Sequence, residues 1–195
     1  SELGFSLGTK FEQFMNIFLS PEIDFLIEDL ETSNKASDTL KKQEGSYKDM
    51  YFNYTINQDL RDRKFRTESG YQTFFSQEIP IISDTSEFAN AFEISKYKKL
   101  STKSDTVGKI SFYAKTITGL SDDVRVSKRL IIPSNKLRGF EKGRVGPIDN
   151  NDYVGGNYVS ALNLSATLPN VLEGLDNLDI GVLWKVSGSG FLLEQ

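Results

Sequence analysis

Neither cysteine nor histidine occurs in the 195 residues. Without cysteine there is no disulfide framework and no thiolate metal site. Without histidine the Ser-His-Asp and Cys-His arrangements are excluded, together with the common zinc ligand sets. Only carboxylate, lysine or tyrosine chemistry is left to an enzyme, and the reading is that this is not one: no catalytic residue, metal or cofactor is assigned. No apolar run reaches the roughly 18 residues of a spanning helix. That leaves open a spanning strand, which needs only about 9–11 residues with alternate positions apolar. Strong basicity is missing too: the formal net charge is −4, so nucleic acid is not an expected partner. The chain opens at Ser1 inside an alternating segment, with no initiator methionine or leader peptide visible, and is read as a processed chain or a fragment.

What is present is period-2 alternation. Leu3, Phe5 and Leu7 alternate with Gly4, Ser6 and Gly8. Phe11, Phe14 and Phe18 fit either a helical stripe or a tight aromatic turn. Ile23, Phe25 and Ile27 oppose Asp24 and Glu28, and a polar loop follows over 31–45. Met50, Phe52, Tyr54 and Ile56 form one face against Tyr51, Asn53, Thr55 and Asn57. Tyr71, Thr73, Phe75 and Ile79 alternate with Gln72, Ser76 and Glu78 up to Pro80, after a charged turn over 59–66. Segments 88–97 and 107–118 form another pair. Tyr158, Leu162, Leu164, Ala166 and Leu168 oppose Asn163, Ser165 and Thr167 until Pro169, and 179–184 begins a further strand.

The fold class is therefore all-β, with about seven or eight long antiparallel strands, each with one apolar and one polar face. Two schemes fit. In a sandwich the apolar faces meet in a core. In a transmembrane barrel they point at lipid and the polar faces line a lumen. Strand length favours the barrel. So do the aromatics at apparent strand ends (Tyr47, Tyr51, Phe52, Tyr54, Phe65, Tyr71, Phe74 and Phe75), placed as interfacial girdles are.

One stretch breaks the alternation. Residues 135–157, NKLRGFEKGRVGPIDNNDYVGGN, hold five of the fifteen glycines: Gly139, Gly143, Gly146, Gly155 and Gly156. Such density marks backbone that turns sharply or approaches something closely. Leu137, Phe140, Val145, Tyr153 and Val154 give the same stretch apolar anchors, the profile of a loop packed back on its scaffold. Segment 124–146 carries Arg125, Lys128, Arg129, Lys136, Arg138, Lys142 and Arg144 against Glu141 alone. Lipopolysaccharide phosphates, lumen carboxylates or plain solvent would each suit these cations. Asp149 and Asp152 lack a calcium-loop pattern and read as a turn.

The order Leu137-Arg138-Gly139-Phe140, then Gly146-Pro147, then Gly155-Gly156-Asn157, then a strand ending at Leu168-Pro169, resembles the BamA family of outer-membrane-protein assembly factors. Lys128 to Pro133 resembles its lead-in. The resemblance implies an incomplete antiparallel transmembrane barrel, about half of a sixteen-stranded one. Residues 1–121 would be barrel strands and connections. Residues 122–157 would be the sixth extracellular loop, folded inward, and 158–195 further strand with an atypical, truncated tail. Leu137, Arg138, Gly139 and Phe140 would form the docking motif on the inner wall. Gly143, Gly146, Pro147, Gly155, Gly156 and Asn157 would supply the turns. The chain departs from the pattern at Ser165, where the family often has glutamate, and lacks the Phe-x-Asp-x-Gly element of the next strand, so the acceptor for Arg138 stays open.

The implied function is non-covalent insertion of β-barrel proteins into the bacterial outer membrane. The implied partners are unfolded outer-membrane proteins, accessory assembly lipoproteins, lipid and lipopolysaccharide. The alternatives are a translocation pore of the two-partner-secretion type and a soluble β-sandwich binding module.

Overall fold

A computed structural model describes residues 1–33, 36, 38–101, 103, 105–121, 123–137, 141, 143–149, 152–168 and 180–190. It contains β1 (Glu2–Gly8), β2 (Phe11–Phe14), β3 (Ile17–Leu30), β4 (Gly45–Asp59), β5 (Gly70–Ser83), β6 (Glu87–Lys99) and β7 (Val107–Gly119). After a long loop come the two-residue strands β8 (Ile148–Asp149) and β9 (Asp152–Tyr153), then β10 (Tyr158–Leu168) and β11 (Ile180–Gly190). The main sheet runs in the order β1-β3-β4-β5-β6-β7-β10-β11, with β2 paired to β3, and every pairing is antiparallel. Strands adjacent in sequence are adjacent in the sheet, as in an up-and-down barrel wall. The described sheet does not close: β1 and β11 are its two edges.

Register assigns every side chain to a face, because directly paired residues of antiparallel strands point the same way. Phe5 pairs with Phe25, Phe25 with Met50, Ile23 with Phe52 and Phe52 with Ile79. Across the sheet, Phe75 pairs with Phe92, Ile94 with Phe112, Ile110 with Leu164, and Leu164 with Trp184. Apolar pairs thus run across this face from edge to edge, interrupted by the hydrogen-bonded pair Gln77–Asn90 and, toward the strand ends, by Lys48, Lys96 and Lys98. On the other face Asp24 pairs with Tyr51, Asn53 with Glu78, Glu93 with Tyr113, Ser95 with Ser111, and Ser111 with Asn163.

The apolar face is uncovered. Phe25 is 46% exposed and Phe112 39%, although both lie in interior strands. Among the described residues no second sheet faces it, so the sandwich scheme fails and an incomplete barrel wall remains. Burial instead lies on the face with polar pairs, where Ala89, Ile117 and Val159 join Val124, Leu130 and Ile132 of the long loop in one cluster.

Local departures from the sequence reading have identifiable causes. The aromatics after Thr9 make no helix but the tight turn between strands: β2 folds back on β3 through Met15 and Asn16, with Phe11 opposite Leu19. The polar loop after β3 contains one helical turn, Asp38–Lys41. Pro80 does not end β5. Met50 pairs with Ile82 and Tyr51 with Pro80, so Ile81 is an extra residue in a bulge, where a missing N–H is tolerated.

These faces predict an asymmetric response to charge. Phe52→Arg, mid-strand on the bare face, is expected to lower the stability of the lipid-inserted protein by about 2–4 kcal/mol. Thr55→Arg, on the opposite face, is expected to cost far less. Reversible urea unfolding in phospholipid vesicles measures both; equal losses would contradict the assignment of faces.

Candidate functional site: a long loop anchored on the polar face

The connection from β7 to β10 leaves the sheet at Gly119 and folds across its polar face. Its deepest contact is Arg125, 1% exposed, just before a single 3-10 turn at Val126–Lys128. Nη2 of Arg125 donates to Oδ2 of Asp49 on β4 at 2.5 Å. Nη1 lies 3.5 Å from Oε2 of Glu28 on β3, and Nε 3.9 Å from Oε1 of Glu87 on β6. The guanidinium sits over the Tyr47 ring, 4.2 Å from its centroid. One loop cation thus engages three strands of the wall.

The carboxylates are themselves held. Ser83 Oγ donates to Asp49 Oδ1 at 2.7 Å, and Tyr51 Oη to Glu87 Oε2 at 3.0 Å. Thr85 Oγ1 donates to Glu87 Oε1 at 2.5 Å, and Ser127 Oγ to Glu28 Oε2 at 2.9 Å. Asp49 and Glu87 are fully buried, so this is charge removed from water. Burial alone would loosen the Arg125 proton. The hydrogen bond to Asp49 and the fields of Asp49, Glu87 and Glu28 outweigh burial and raise the guanidinium pKa above its ordinary value. Arginine suits the position because it stays charged and presents donors in a planar fork while stacking on an aromatic ring.

Further contacts continue the seam. Gln43 Oε1 accepts from the Val126 N–H at 2.6 Å, and Lys128 Nζ lies 5.0 Å from the Tyr51 ring centroid. Lys136 bonds Glu93 on β6 and lies over Tyr113 on β7. Arg129 pairs with Asp123 at 2.7 Å. The loop's basic character is thus spent partly on lumen carboxylates, one of the three destinations the sequence allowed.

The sequence-predicted residues divide. Leu137 is half-buried and packs on the apolar cluster with Val145. Arg138, Gly139 and Phe140, with Lys142, lie outside the described residues. Gly143 and Gly146 occupy turns in the loop, and the carbonyl of Pro147 accepts from Val154 N at 3.1 Å, closing the small β8–β9 hairpin in which Asp149 pairs with Asp152. Among the described residues no acidic group capable of holding a metal is formed.

Gly155 and Gly156 carry the return to the wall. Gly155 has φ +73, and a Cβ on it would meet the Leu130 carbonyl at 3.0 Å. Gly156 bonds Leu130 in both directions, at 2.9 and 2.8 Å, and a Cβ there would lie 2.3 Å from the Gly190 carbonyl. Asn157 donates from its N–H to Gly190 O at 2.7 Å and accepts from Ile117 N at 2.8 Å. The two limbs of the loop are therefore tied together where the chain re-enters the sheet. Ser165 pairs with Lys109 on the polar face.

Sequence reasoning missed Arg125 as an anchor, counting it only within a basic run. Asp49 and Glu87 were missed as well. The available signal was parity: Asp49 continues the polar series Tyr51, Asn53, Thr55, while Glu87 falls one step before the apolar Phe88. Parity alone gave no reason to join them to Arg125, 76 positions from Asp49 and 38 from Glu87.

A single antiparallel wall with a bare apolar face and a loop clamped to its polar face defines a segment of a transmembrane β-barrel with an occupied lumen. Residues 7–184 match the Omp85 superfamily domain, and the chain belongs to that superfamily. The structure is similar to a crystal structure of BamA from Haemophilus ducreyi lacking POTRA domains 1–3, with a TM-score of 0.83 and 14% identity. That likeness covers 96% of this chain and 41% of the BamA chain, so this chain spans about two fifths of that truncated chain. No curated protein matches the sequence.

Removing one partner of a buried charge cluster leaves the others uncompensated, typically at about 3–5 kcal/mol. Arg125→Ala is expected to destabilise the folded barrel by that order and to expose 120–157 to protease. Arg125→Met combined with Asp49→Asn and Glu87→Gln should recover part of the loss. Limited proteolysis and urea unfolding of the membrane-inserted protein check both; an intact loop in Arg125→Ala would refute the anchor.

Proposed function

We propose that this chain is part of the barrel of a bacterial outer-membrane assembly factor that inserts and folds other β-barrel proteins. The observation that carries the reading is the clamped loop. A lumen-side segment tied by Arg125 to β3, β4 and β6 braces a wall that, among the described residues, has no second sheet on its apolar side. Superfamily membership supports the outer membrane as the location and protein insertion or translocation as the broad activity.

The mechanism is non-covalent. An unpaired strand edge is a hydrogen-bonding template, so a barrel that opens between its first and last strands pairs with a substrate strand by β-augmentation. While that seam opens, the wall must keep its curvature. Packing and buried ion pairs between loop and wall resist its collapse, because separating them exposes desolvated charge. Unfolded outer-membrane proteins are the substrates in this reading, with accessory lipoproteins as partners in the assembled complex. In this reading residues 122–157 act as one inward-folded unit, and Arg138 with Gly139 and Phe140 is its second fixing point. No cofactor or nucleotide has a role.

The test is insertion of an unfolded barrel protein by the full-length parent reconstituted in vesicles. Arg138→Ala and Arg125→Ala are each expected to lower the insertion rate at least several-fold, whereas Lys142→Ala leaves it near wild type. Wild-type rates for both arginine variants would overturn the bracing role. Export of a secreted substrate without barrel insertion would favour the two-partner-secretion pore instead.

A further inference from the structure

The bare face is not uniform. Near the strand ends opposite the long loop it sinks into a groove of about 480 Å³ between β6, β7, β10 and β11. Leu100, Gly108, Ile110, Leu164, Ala166 and Trp184 line it. Glycine seats one wall of it: a Cβ at Gly108 would lie 2.9 Å from Leu100 Cδ1, so the Leu100 side chain packs directly on the backbone there. On the same face stand Lys96 and Lys98. Lys96 pairs with Ile110 and Lys98 with Gly108, which puts both ammonium stems on the groove's rim about 7 Å apart along β6. Both are exposed, and among the described residues neither has an ion-pair or hydrogen-bond partner.

Two exposed lysines side by side on a lipid-facing surface call for an explanation. Near strand ends a lysine stem lies along apolar surface while its head reaches the interface. Two such heads above a groove sized for a hydrocarbon chain match a phosphodiester with acyl chains beneath it. Trp184, 55% exposed at the groove wall, is the residue type favoured where apolar and headgroup regions meet. We infer that this groove is a binding site for an anionic glycerophospholipid in the leaflet opposite the long loop, with Lys96 and Lys98 on the phosphate and the groove holding an acyl chain. The inference rests on the reading of the apolar face as lipid-facing, and the experiment separates the two.

Trp184 is the only tryptophan in the chain, so its fluorescence reports the groove. The full-length protein is reconstituted in phosphatidylcholine vesicles containing acyl-brominated phosphatidylglycerol or acyl-brominated phosphatidylcholine at equal mole fraction. Subtracting the signal of Trp184→Phe isolates the site. With each interfacial lysine contributing a factor of about 5 toward anionic lipid, the apparent affinity for phosphatidylglycerol should exceed that for phosphatidylcholine about 10-fold or more. Lys96→Gln with Lys98→Gln should bring the ratio to about 1, and Lys96→Arg with Lys98→Arg should keep it high. Lys48→Gln, at the other end of the same face, should leave it unchanged. Equal quenching by both lipids in the wild type, or a preference that survives the double glutamine variant, overturns the lipid site while the membrane wall stands. Absence of quenching by either lipid overturns the wall itself, and the proposed function with it.

Discussion

A guanidinium removed from water has to be answered by fixed negative charge, and it cannot escape by losing its proton. Arg125 meets that condition with Asp49, Glu87 and Glu28, carried on three different strands. The consequence runs outward from this contact. Carboxylates at those positions lose their water where the loop covers them, a cost offset by the guanidinium and by the hydroxyl donors of Ser83, Thr85 and Tyr51. The loop supplies the cover, and its apolar residues Val124, Leu130 and Ile132 seal the site against Ala89, Ile117 and Val159. The same loop that brings the cation to the acids also shields them.

This arrangement inverts the usual logic of a sheet in a water-soluble domain. There the apolar face packs and the polar face is solvated. Here the polar face holds the buried contacts, while Phe25, Phe52, Phe112 and Trp184 stand on a face with no protein layer over it among the described residues. A hydrocarbon solvent resolves the inversion, since backbone groups of a closed barrel are satisfied by their neighbours and apolar side chains need no protein partner. The bulge at Ile81 and the tight turn from Ser83 to Glu87 matter for the same reason. They bring Ser83 and Thr85 onto Asp49 and Glu87, so that each acid meets the loop already hydrogen-bonded.

Two ends of the wall then do different work. At one end the loop is tied by ion pairs and by the Gly155–Gly156 return, where absent Cβ atoms let Leu130 and Gly190 approach the backbone. At the other end the outward face carries the Gly108 groove and its two lysines. One end restrains the lumen; the other addresses lipid.

How much of this was legible beforehand follows from periodicity. Alternation of Met50, Phe52, Tyr54 and Ile56 with Tyr51, Asn53 and Thr55 is a local property, so strands, faces and the all-β class could be read directly. The family was legible as well, because Leu137 to Phe140 and the later Gly-Pro and Gly-Gly-Asn steps are contiguous patterns. What alternation leaves undetermined is which face is buried and by what: the same strings serve a sandwich or a barrel until register and cover are known. Nor does a basic run declare which of its cations is buried. Arg125 was chosen by the fold, because only the loop's path across the sheet brings it within reach of Asp49, Glu87 and Glu28. The chain order thus determined the elements and their two-sidedness. The tertiary structure decided the solvent of each side and the one charge on which the loop turns, since both depend on contacts between residues far apart in sequence.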